Sequence, residues 1–268
     1  MPLINIQPAY PTIQHARSAE AAVSVFSGDP AVEAVLLMGS CARGKAAPSS
    51  CVDLLVLSRP EVLAVERPRL EALWQSQYPE APVYQEMLAL ARFSHIDLDF
   101  IDGSFDPAVH DHGWTSGADS FELEVGNTLA YTVPLFENGT YYQELRSRWL
   151  PYYSDDLRSQ RLEMVLKYCR NNLDHIPYLA PRELYFQSFK RLYHAFEEFL
   201  QALFIAHHTY PIAYDKWVRE SVTDILGLPD LFDHLAHILE VAPFESQQTL
   251  EKAHELNVLI DAYIDPKR

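Results

Sequence analysis

Residues 35–57, VLLMGSCARGKAAPSSCVDLLVL, gather residue types suited to phosphoryl chemistry. A short apolar run ends in Gly39-Ser40, a small polar loop follows, and a second apolar run carries Asp53. Glycine and serine at a strand end let backbone N–H groups approach a phosphate closely, and the serine hydroxyl adds a donor. A carboxylate on the next strand is placed to hold a divalent cation over the same phosphates. HIDLDFI (95–101) adds Asp97 and Asp99, which a period of two puts on one strand face. Phosphate cradle, metal ligands and in-line attack together describe phosphoryl transfer. Arg43 and Lys45 in the loop are candidate triphosphate contacts; a solvated role for both is equally open.

These residues resemble the DNA polymerase beta-like nucleotidyltransferase superfamily, most closely its minimal and antibiotic-modifying members. Small members read GSRARG, a variable stretch with proline, then SDIDLLVL. Here Gly39-Ser40-Cys41-Ala42-Arg43-Gly44, Pro48 and Ser50-Cys51-Val52-Asp53-Leu54-Leu55-Val56-Leu57 follow that pattern, and a third carboxylate falls at Asp97. The resemblance implies transfer of a nucleotidyl group, AMP from ATP in the first instance, onto a hydroxyl-bearing acceptor bound between two domains. It implies Gly39 and Ser40 on the β- and γ-phosphates and Asp53 and Asp97 on Mg²⁺ or Mn²⁺. Asp97 or Asp99 would favour deprotonation of the acceptor hydroxyl.

The departure from the pattern is Cys51, which stands where the first motif carboxylate belongs. A thiol is soft and mostly protonated at neutral pH, whereas magnesium takes hard oxygen donors. The substitution removes one charge and one oxygen from the expected site. A second register, with Asp53 first and Leu55 as the failed second carboxylate, fits the following Leu-Leu-Val-Leu less well. Cys51 is either buried filler or a metal-facing group. Asp99 offers partial compensation if the strand presents it together with Asp97, about 6.5–7 Å apart. The alternative function is therefore a weak or inactive nucleotide-binding or interaction protein. A third class is an interaction module in a toxin–antitoxin-like pair.

Softer signals lie further along. Lys216, in HHTYPIAYDKW (207–217), is a candidate phosphate contact, with Tyr210 or Tyr214 on an acceptor; helix-turn packing is the competing reading. Arg170 and His175 fit the Arg-x4-His spacing of HEPN ribonucleases, a match that chance readily supplies. His110-Asp111-His112 would pair two imidazoles on a strand, but the Gly-, Asp- and Pro-containing surroundings read as a loop.

The elements that must position these groups form an α+β chain. VEAVLLM (32–38), VDLLVL (52–57), ALARF (89–93), HIDLDFI (95–101) and TLAYTVPLF (128–136) read as strands. EVLAVERPRLEALWQSQ (61–77) reads as a helix with Pro68 at a start or kink. From about residue 141 the pattern turns helical. Expected helices cover 155–173, 181–208, 214–226, 229–241 and 245–264, the second carrying Leu184, Phe186, Phe189, Leu192, Phe196, Phe199, Leu200 and Leu203 at helical spacing. The reading is a nucleotidyltransferase-type domain over 1–140, with a short mixed sheet flanked by helices, followed by an all-α bundle over 141–268 like those of HEPN or antibiotic nucleotidyltransferases.

Composition bounds the rest. The 268 residues carry 21 Lys+Arg against 37 Asp+Glu, a net charge of −16, which argues against an electrostatic grip on nucleic acid or an anionic membrane. Three cysteines without paired spacing argue against a disulfide framework or a cysteine zinc knuckle. No secretory signal and no membrane-spanning run is visible, so a cytoplasmic protein is expected. The apolar bundle leaves room for a homodimer.

Overall fold

The computed structural model describes residues 6–109 and 113–264 and shows an α+β protein. The pair His110 and His112 lies outside the described residues. The chain forms two compact units: one takes in 6–106 and 124–151, the other 107–109, 113–123 and 152–264. Among the described residues no helix is long and apolar enough to cross a membrane.

The first unit is built on a mixed sheet of β1 (Ala34–Met38), β2 (Val52–Leu57), β3 (Ile96–Ile101) and β4 (Val133–Glu137), in the order β3-β2-β1-β4. β1 pairs antiparallel with β2 and β4, whereas β2 and β3 run parallel. The parallel pair needs a crossover, supplied by α3 (Pro60–Gln75) and α4 (Pro82–Leu88). α3 starts at Pro60, where the missing N–H is harmless, and runs on through Pro68.

Alternation decides which side chains meet which layer. Val35, Leu37, Val52, Leu54, Val56, Ile96 and Phe100 join one core with Phe26, Leu63, Leu70, Trp74 and Met87 from α1 (Ile13–Phe26), α3 and α4. Asp53, Asp97 and Asp99, at the intervening positions, therefore point to the opposite face.

Two strand expectations are corrected. ALARF (89–93) is turn: the Leu90 N–H donates back to the Met87 carbonyl, and Leu90 and Phe93 stand 39% and 60% exposed. Of 128–136, only the part from Val133 is strand; α5 (Ser120–Val125) runs on into Gly126–Ala130, a wide helical turn closed by Tyr131 N–H donating to the Gly126 carbonyl, and α6 (Tyr141–Trp149) follows β4.

The second unit is helical. α7 (Asp155–Leu179) is capped by Ser154, whose hydroxyl accepts from Leu157 N–H, with Asp155 and Asp156 in the first turn. It packs along α8 (Tyr185–Ala206), with α9 (Pro229–Ile238) and α10 (Gln248–Tyr263) completing the core. Leu192, Phe196, Phe199, Leu200 and Leu203 fill that core as their spacing predicts. Phe186 does not: it is 80% exposed, and with Phe189 it packs on Phe244 instead. The expected helix over 214–226 starts later, after Trp217, whose φ of +61° lies outside the right-handed helical region, and its body, Glu220–Ile225, is a π-helix.

Segment 113–118 is tied down by buried Glu198 of α8. Its carboxylate accepts from the Thr115 hydroxyl, Ser116 N–H and the Asn172 amide, and Asn172 in turn accepts from Arg191. Thr115 and Ser116 thus join Asn172 in satisfying a carboxyl that burial pushes up, against the opposing pull of these hydrogen bonds and of Arg191.

Candidate functional site

The site grows out of the corner after β1. Met38 pairs with Asp53 across the antiparallel ladder, and the chain then turns into α2 (Gly39–Ala42). Gly39 adopts φ +65°, a region that costs any residue with a Cβ. The space a Cβ would take is already filled: it would fall 2.0 Å from Asp53 Oδ2. Glycine is therefore required here both for the turn and for seating the carboxylate of Asp53. Ser40 is buried beside it, and its carbonyl accepts from Lys45 N–H at 2.9 Å.

The loop that follows is pinned from three sides. Ala9 N–H donates to the Cys41 carbonyl at 3.0 Å. The Ser94 hydroxyl donates to the Pro48 carbonyl at 2.9 Å. His15, fully buried on α1, donates from Nε2 to the Ser50 carbonyl at 3.0 Å while Nδ1 accepts from the Thr12 hydroxyl at 2.7 Å, which fixes the Nε2–H tautomer. His15→Ala should cost about 2 kcal/mol, by losing two hydrogen bonds and stranding the Ser50 carbonyl. Urea unfolding measures this, and a loss under about 0.5 kcal/mol would mean the loop is held without it.

Parallel pairing sets Asp53 directly opposite Asp97. Cys51, one residue before β2, completes a group: one donor atom from each of Cys51, Asp53 and Asp97 lies within 4.8 Å of the others. Cys51 and Asp53 are half-buried, while the Asp97 side chain is 63% exposed. The Cys51 thiol donates to Asp53 Oδ1 at 3.0 Å. Burial first, then that hydrogen bond and the charges of Asp53 and Asp97, push the thiol up to about 12, so it stays protonated.

Asp99 lies on the same face, opposite Leu55, one strand repeat beyond the three-residue group. Arg43 is half-buried and Lys45 exposed, both in the loop beside the corner. Lys216 belongs to the helical unit, is exposed, and holds Nζ 5.6 Å from the Trp217 ring. Tyr210 and Tyr214 are buried. On α7, Arg170 reaches Asp261 at 4.0 Å and His175 Nδ1 meets the Asn171 carbonyl at 2.7 Å. Five residues of helix separate their directions by about 140°.

Sequence reasoning passed over His95. Its Nε2 lies 3.3 Å from Asp97 Oδ2, so it braces the third carboxylate. The signal was present in HIDLDFI, since residues two apart on a strand share a face.

The donor set does not suit the pair of magnesium ions that the motif resemblance implies. Two carboxylates and a thiol replace three carboxylates, and one Asp53 oxygen is already engaged by the thiol proton. What the corner does offer is a glycine-serine turn, an immobilised loop and two opposed carboxylates on one open face. No family model matches the chain, and a search of curated proteins finds no related sequence.

Proposed function

We propose that the first unit is a nucleotidyltransferase-type domain that moves a nucleotidyl group, AMP from ATP in the first instance, onto a hydroxyl-bearing acceptor. The observation that carries this reading is the convergence of Asp53 and Asp97 next to the Gly39-Ser40 turn. In the proposed reaction the acceptor oxygen attacks the α-phosphorus in line. The bond to the β-phosphate oxygen breaks, pyrophosphate leaves, and the acceptor proton passes to the exposed Asp97 carboxylate beside His95. Backbone N–H groups of the corner and the Ser40 hydroxyl would receive phosphate oxygens, and Arg43 and Lys45 lie near enough along the chain to add positive charge. Asp99 would act on the acceptor side. The three free thiols suit a reducing compartment, and we place the protein in the cytoplasm.

One observation favours the alternative, a weak or inactive nucleotide binder: the thiol hydrogen bond that occupies Asp53 Oδ1. Thermal denaturation with ATP and a panel of divalent cations tests the proposal. Ligand at 100 times its Kd should add about 2.7 kcal/mol of stability, and Asp53→Ala should remove the cation-dependent part. Stabilisation without acceptor-dependent pyrophosphate release is the signature of the alternative. No shift with any nucleotide contradicts both.

A further inference from the structure

We infer that Cys51, Asp53 and Asp97 form a three-donor site for one borderline-soft divalent cation of the zinc or cobalt class, and not for magnesium. The inference deepens the reading of this corner as a phosphate-handling site and rests on that reading only for what would fill the open coordination position. The ion itself can be tested without any nucleotide.

Geometry and donor chemistry point the same way. The three donors come from two neighbouring strands and the residue leading into one of them, and none is more than 4.8 Å from another. Tetrahedral coordination with metal–sulfur near 2.3 Å and metal–oxygen near 2.0–2.2 Å puts sulfur and oxygen about 3.5 Å apart. The Cys51 Sγ to Asp53 Oδ1 separation is 3.0 Å, so a small opening of that pair admits the ion. Sulfur with two carboxylate oxygens matches zinc or cobalt, whereas magnesium requires near-octahedral oxygen. Three protein ligands also leave a fourth position open, the arrangement of zinc sites that bind a substrate oxygen.

The carboxylates supply a second argument. Asp53 and Asp97 sit directly opposite each other in the parallel ladder, and like charges so placed repel. A dication between them converts that repulsion into attraction. Gly39 leaves Asp53 Oδ2 the space that a Cβ would fill, and His95 Nε2 approaches Asp97 Oδ2 at 3.3 Å, so both carboxylates are held from outside the group. On binding, the S–H···O contact is replaced by a metal–sulfur bond, and the thiol proton leaves to the buffer.

Cobalt(II) chloride titrated into the full chain without nucleotide tests this by absorption spectroscopy. The expected result is a near-ultraviolet sulfur-to-cobalt charge-transfer band, bleached by equimolar zinc and unaffected by a hundredfold excess of magnesium. Cys51→Ser should abolish that band, and Asp97→Asn should weaken cobalt binding tenfold or more. Cys51→Asp should move preference toward magnesium by at least tenfold. No band with cobalt, a band that survives in Cys51→Ser, or effective competition by magnesium overturns the inference. A band in a protein that transfers no nucleotide supports the inference while the proposed reaction fails. A silent titration in a protein that binds ATP overturns the inference and leaves nucleotide binding standing.

Discussion

A Glu122→Gln variant is expected to lose most of one pH dependence of stability expected of the native chain between about pH 4.5 and pH 8. Glu122 lies in the helical unit at the end of segment 107–123 and is fully buried. Tyr152 and Tyr153 both donate to its Oε1, while its Oε2 has no hydrogen-bond partner. Burial is the dominant influence and Asp119 adds repulsion. The two tyrosine hydroxyls and Arg161 act in the other direction, but the carboxyl still rises from 4.5 to about 8.

Between those two values the folded chain keeps a proton that the unfolded chain releases. The stabilisation is complete below pH 4.5, falls as pH rises through the window, and is lost above about 8. The full span is on the order of 5 kcal/mol. Urea unfolding at several pH values should therefore show native stability declining toward alkaline pH, and a much flatter profile for Glu122→Gln. Equal slopes in the two proteins would show that Glu122 is ionised in the folded state at neutral pH.

Gly39→Ala is expected to disable the candidate site while leaving the chain folded. Placing a Cβ at φ +65° costs on the order of 1–2 kcal/mol by itself. The new methyl group would also collide with Asp53 Oδ2, at 2.0 Å. That oxygen ends a short side chain and can swing aside, so the backbone survives and the carboxylate does not stay where it was. The expected outcome is a modest loss of melting temperature with a hundredfold or greater loss of cation and nucleotide binding. Calorimetric titration alongside thermal unfolding separates the two effects. Binding retained in Gly39→Ala would mean that the position of Asp53 against the corner is irrelevant to ligand.

The parts of this arrangement readable in the sequence are those governed by local period. Alternation in VDLLVL and HIDLDFI sends Asp53, Asp97 and Asp99 to one face because Val52, Leu54, Val56, Ile96 and Phe100 must go to the other. Register is not a local property. Which acid meets which depends on how β3 slides along β2, and the observed register pairs Asp53 with Asp97 and leaves Asp99 against Leu55. The thiol–carboxylate hydrogen bond joins residues two apart, Cys51 and Asp53, so its local half is legible in the spacing while its closeness to Asp97 is not.

Long-range anchors were invisible for a related reason. His15 secures Ser50 from 35 residues away, and Glu198 gathers Thr115 and Ser116 from more than 80. Neither pair has a periodicity to betray it. Phe186 shows the converse failure: its helical spacing is right, but α8 begins before the other helices are there to cover it, so the ring stays exposed.

A crystal structure of the full chain grown with cobalt(II) and a non-hydrolysable α,β-methylene analogue of ATP tests the central claim most directly. The expected result is triphosphate density against Gly39 and Ser40, with an anomalous cobalt peak shared by Cys51, Asp53 and Asp97. Triphosphate bound elsewhere on the molecule, or no analogue bound at saturating concentration, would contradict it.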